Sequence, residues 1–118
     1  MIKVFHASQK LKTQFARADD ERALISMIVK HLTEYQLVTY VKHGELDIAF
    51  AATGGPSPWV YGDTLAVACE PELPRSSEYG DILVEQANGY VNLSTPAGFI
   101  PLVDVEEKQG SLSLKTYN

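Results

Sequence analysis

The sequence predicts an α+β fold: one long amphipathic helix packed on a curved, mainly antiparallel sheet, with a small barrel-like C-terminal half as one option. Three observations lead there. Residues 20–35 carry an apolar period of helical type, short β-branched and aromatic runs recur elsewhere, and Gly and Pro punctuate those runs at hairpin spacing. At 118 residues the chain has length for one core, so residues 1–118 are read as a single α+β domain. A content of 45% hydrophobic and 21% charged residues is that of a globular protein and argues against disorder.

Taken in order, residues 2–6 (Ile-Lys-Val-Phe-His) alternate as a short strand, and 7–18 read as a loop or short helix. Asp19 or Asp20 caps the helix 20–35, and Asp20 and Glu21 suit its positive end. At about 100° per residue, Leu24, Ile25, Met27, Ile28, Val29, Leu32 and Tyr35 sweep an arc of roughly 200°. Such an arc either is wrapped by a curved sheet or meets a second copy of the chain. Leu24, Ile28 and Leu32, at i, i+4 and i+8, are the expected core positions. His31 lies inside the arc and reads as a partly buried core residue.

Residues 37–42 and 46–50 read as two strands of a hairpin across His43-Gly44. The stretch 53–63, rich in Gly and Pro, is a loop; 64–69 return to strand character, and 70–80 form a second loop with Pro71 and Pro74. Residues 82–86 and 90–93 form a hairpin through Asn88-Gly89, a pair that tolerates the positive φ of a type I′ turn. Phe99–Val105 and Leu112–Thr116 make a last pair across Lys108-Gln109-Gly110.

The net charge of −5 is unevenly spread: residues 1–45 hold seven cations and five acids, residues 46–118 three cations and ten acids. The acidic excess disfavours nucleic acid, which needs phosphate-neutralising cations. The first 18 residues hold Lys3, Lys10, Lys12 and Arg17 and no acid, a patch for phosphate or a partner unless it is a plain solvated face. No apolar run reaches the roughly 18–20 residues of a membrane-crossing helix, and Met1–His6 shows no signal peptide. With Cys69 as the lone cysteine no internal disulfide forms, and a cytoplasmic setting is expected.

The run 65–107 has a further pattern. Leu65–Glu72 looks like an opening strand and its acidic loop, Gly80-Asp81-Ile82-Leu83-Val84 like a strand start, Gly89-Tyr90 like a hairpin, and Gly98-Phe99-Ile100-Pro101 like the entry to a last strand. In this order it resembles a Src-homology-three-like barrel. The resemblance implies local topology more than activity. Where the family's peptide groove has tyrosines, Val67, Cys69 and Asp104 stand, leaving Pro101 and, in part, Tyr90 in place.

Chemistry-bearing residues are sparse. His6, His31 and His43 lack metal-ligand spacing with one another. Cys69 shares a strand face with Leu65 and Val67, and its acidic neighbours Glu70 and Glu72 oppose a reactive thiolate. The acids Asp63, Glu70, Glu72, Glu78 and Asp81 match no calcium loop and read as a solvated rim. No catalytic residue, metal or cofactor is expected. Trp59, Tyr61, Tyr79 and Tyr90 are the candidate ligand- or partner-binding residues, because large aromatics on loops serve as recognition anchors, although Trp59 also suits a lid on the core. The function expected is a non-enzymatic binding or assembly module, homodimeric, that also admits a protein or small-molecule ligand. The alternative is a small-molecule-binding protein or enzyme with a pocket between helix and sheet near the 53–63 and 70–80 loops.

Overall fold

Strand β1 (Ile2–Ala7) is β-branched and apolar enough to be buried on both faces, and five of its six residues are. It lies in the middle of a sheet, antiparallel to β2 (Tyr35–Val41) on one side and to β4 (Ile82–Glu85) on the other. The computed structural model describes residues 1–42, 44–54 and 77–116, with the backbone alone of 64–66. With β3 (Thr64–Ala66), β5 (Tyr90–Thr95) and β6 (Gly98–Pro101), the strands run β3-β2-β1-β4-β5-β6. Every pairing is antiparallel. The described strands form this open sheet and a separate ribbon of β7 (Val105–Lys108) and β8 (Ser111–Leu114), not a closed barrel in the C-terminal half.

The pleat gives the sheet two apolar faces. On the first, Phe5, Ala7, Tyr35, Ile82, Val84, Val91 and Leu93 are buried beneath α1 (Gln9–Phe15), α2 (Glu21–Val29) and the β7–β8 ribbon. On the second, Ile2, Val4, Val38, Val41 and Leu83 pack with Ala49 of α3 (Leu46–Thr53). Among the described residues no helix is long and apolar enough to cross a membrane.

Two expected elements are corrected in kind, and a third in pairing: Phe99–Val105 and Leu112–Thr116 are not one pair, because Gly98–Pro101 lies beside β5 and Val105–Lys108 pairs with β8. The long helix 20–35 is a nine-residue α2, capped by Asp20, whose carboxylate accepts from Ala23 N at 2.7 Å. His31 N then reaches back three residues to the Ile28 carbonyl, and Leu32–Glu34 form a 3₁₀ turn. Tyr35 already belongs to β2, so the wide arc summed a helix and the strand after it. Ile28 and Leu32 are buried, while Leu24 is half-buried and packed against the same core. His31 is part-exposed and bonded to Glu34.

The second correction is at 46–50, which form helix rather than strand. Leu46, Ala49, Phe50 and Thr53 share one side at i, i+3, i+4 and i+7 and face the sheet, while Ile48 points outward. Ala51 and Ala52, strong helix formers, extend the segment beyond the window in which Leu-Asp-Ile-Ala-Phe alternates. The Asn88-Gly89 hairpin exists, but its loop has four residues between Glu85 and Tyr90, and within it Gly89 alone has positive φ (78°). Successive positive φ values, 54° and 81°, occur instead at Gln109-Gly110, where a two-residue loop joins β7 to β8.

Candidate functional site

Two clusters of side chains stand out, one polar and buried, one aromatic and half-exposed. The polar cluster follows from strand alternation: His6 comes two residues after Val4 and four after Ile2, so it faces the α3 side. There His6 Nε2 lies 2.9 Å from Ser77 Oγ, which is 2.7 Å from Thr53 Oγ1. Thr53 donates its hydroxyl proton to the Ala49 carbonyl at 3.0 Å, as threonines in helices commonly do. Each hydroxyl brings one proton, so the His6–Ser77 contact is made either by the Ser77 O–H or by an N–H on His6 Nε2, according to the ring tautomer.

Asp81 completes the cluster. Its carboxylate is fully buried and accepts from Ala7 N at 3.1 Å and Glu78 N at 2.8 Å. Lys12 Nζ stands 3.7 Å and His6 Nε2 3.8 Å from Asp81 Oδ2. In a Ser-His-Asp triad the carboxylate holds the ring nitrogen away from the serine. Here it approaches the nitrogen that meets Ser77, an arrangement suited to anchoring α3 and residues 77–81 on β1. Asp81 is thus no part of a solvated rim; Glu78 is, and pairs with Lys12 at 2.7 Å. Lys3 is likewise matched, by Glu107 at 2.7 Å, so the N-terminal cations do not form one free patch.

The aromatic cluster grows from α3. Phe50 stacks on Tyr79 with ring centres 5.8 Å apart and meets Phe99 edge-on at 6.0 Å. Phe99 and Pro101 follow at period two on β6, and Asn92 and Tyr90 line the same face of β5. Tyr90, Asn92, Pro101 and Val103 border an open depression of about 400 Å3 with Lys115 at its margin. Apolar surface therefore runs from Tyr79 across Phe99 and Pro101 to Tyr90 and Val103. Tyr79, Tyr90 and Val103 are 57%, 63% and 68% exposed. Of the residues singled out in the sequence, Tyr79 and Tyr90 thus lie at opposite ends of one strip. Trp59, Tyr61, His43, Cys69, Asp63, Glu70 and Glu72 lie outside the described residues.

Sequence reasoning missed Phe50, Phe99, His6, Thr53 and Ser77. Helical spacing from Leu46 finds Phe50 and Thr53, and alternation from Ile2 finds His6; Ser77 carries no signal in the sequence. Among the described residues no cluster of three His, Cys, Asp or Glu side chains could hold a metal ion. In comparison with known proteins, no family model, no curated protein and no solved structure matches the chain.

Proposed function

We propose that the protein is a non-enzymatic binding or assembly module whose recognition surface is the aromatic strip, and whose partner is a second copy of the chain. The contact of Phe50, Tyr79 and Phe99 carries this reading. These rings are pre-ordered by one another, and the outermost is mostly in water, so a partner buries aromatic area at small entropic cost. The wide helical arc, which first suggested self-association, is a weaker candidate: Leu24, Ile25, Met27 and Val29 pack against their own core. The test is concentration-dependent NMR. Ring signals of Tyr79, Phe99 and Tyr90 shift with concentration under this reading; signals that stay fixed, or shift at α2 instead, contradict it.

A second reading has its own observation. An open groove of about 510 Å3 lies between α1 and residues 78–80 and 94–96, lined by Phe15, Leu24, Tyr79 and Pro96 with Lys12 at its wall. It favours a small-molecule-binding protein, since apolar walls with a few polar groups are the usual make-up of ligand sites. A thermal-shift screen that finds a ligand whose effect disappears in Leu24→Glu supports the groove over the strip.

A further inference from the structure

Asn88 and Gly89 form the tip of the β4–β5 hairpin, and both are exposed. In an Asn-Gly pair no Cβ hinders the glycine nitrogen from approaching the asparagine side-chain amide. We propose that Asn88 is a site of spontaneous deamidation, held in check by Glu85, and that the reaction switches the Tyr90 end of the strip. The switching rests on the binding reading above; the modification does not.

Three hydrogen bonds hold the amide away from reaction. Asn88 Nδ2 donates to Glu85 Oε2 at 2.8 Å, Asn88 Oδ1 accepts from Tyr90 N at 2.9 Å, and Gly89 N donates to the Glu85 carbonyl at 2.7 Å. When the turn opens, Gly89 N loses its proton and bonds to Asn88 Cγ. The Cγ–Nδ2 bond breaks, and ammonia leaves with that proton. Water then opens the succinimide at either carbonyl, to aspartate or isoaspartate. The net change is amide plus water to acid plus ammonia, with no oxidant or cofactor.

The product cannot rebuild the turn. Where Nδ2 donated to Glu85, two carboxylates now face each other and repel. Isoaspartate also lengthens the backbone by one methylene between Glu85 and Tyr90, so the Tyr90 N–H loses its acceptor. Tyr90, the exposed aromatic at that end of the strip, is released from its register.

The test incubates the full chain at mildly alkaline pH. It follows the tryptic peptide 76–108, which holds both Asn88 and Asn92, by fragmentation mass spectrometry that places the added mass on one residue, and by an isoaspartate assay, below the melting temperature of every variant. The expected result is reaction at Asn88 well ahead of Asn92, several-fold faster in Glu85→Ala, absent in Asn88→Ser, and accompanied by faster amide exchange at Tyr90. The proposal is overturned if Asn88 reacts no faster than Asn92, or if Glu85→Ala leaves the rate unchanged. Deamidation without faster exchange at Tyr90 overturns the switch.

Discussion

His6 Nε2 and Ser77 Oγ, 71 positions apart in the chain, meet at 2.9 Å in the buried layer between the sheet and α3. Through Ser77 the contact passes to Thr53, whose carbonyl also accepts Ser77 N at 2.7 Å. Thr53 and Ser77 are thereby pinned together against β1. Thr53→Val and Ser77→Ala each remove a hydroxyl with little change in volume, and each is expected to cost about 1–2 kcal/mol. A double-mutant cycle in urea should show coupling of about 0.5–1 kcal/mol. Strict additivity would mean that the hydroxyls do not act through one another.

Asp81 sits fully buried, with two backbone N–H donors and Lys12 and His6 nearby. Asp81→Ala strands those donors and is expected to cost about 2–4 kcal/mol in denaturant unfolding. Glu78→Ala breaks an ion pair whose carboxylate is about half exposed and should cost under about 1 kcal/mol. Similar losses for the two variants would contradict the assignment of Asp81 as the anchor.

Ile28 is wholly buried between α2 and the first face of the sheet. Ile28→Asp places an unpaired charge there, at a cost of several kcal/mol that rivals the whole stability of such a domain. Circular dichroism should report loss of cooperative unfolding, whereas Ser26→Asp, on the exposed side of the same helix, should melt like the parent.

Tyr35 donates its phenolic proton to the Gly80 carbonyl at 2.6 Å in a buried setting. Gly80 itself has a φ of 99°, a conformation that needs glycine, and N–H and C=O of this residue are both committed. Tyr35→Phe keeps the ring and loses the bond, for an expected cost of about 1–1.5 kcal/mol on thermal or urea unfolding.

Much of the sheet was legible because its strands obey one short-range rule. Ile2-Lys-Val, Ile82–Glu85 and Tyr90–Leu93 alternate or run apolar between turn residues, and each is a strand. The two elements assigned the wrong type both came from windows of the wrong length. Leu46–Phe50 alternates over five residues but is helical over eight, and Leu32 and Tyr35 fall on a helical arc although the chain has already left the helix. The aromatic strip was legible only in part: Tyr79 and Tyr90 are conspicuous as aromatics beside turns, but their union through Phe50, Phe99 and Pro101 depends on long-range strand order. The polar cluster depends on the same order, since His6, Thr53, Ser77 and Asp81 come from four separate segments.

The claim that the aromatic strip joins two copies of the chain is tested most directly by light scattering at tens of micromolar. The account predicts twice the chain mass of 13.0 kDa, with only modest weakening by salt, because apolar burial rather than charge supplies the affinity. Tyr79→Ser combined with Tyr90→Ser should return the single-chain mass while the variant still unfolds cooperatively, with only the small loss of stability expected from the Phe50–Tyr79 stack and from dissociation. A parent protein that stays at 13.0 kDa across the concentration range, or a variant that remains double, would contradict the account.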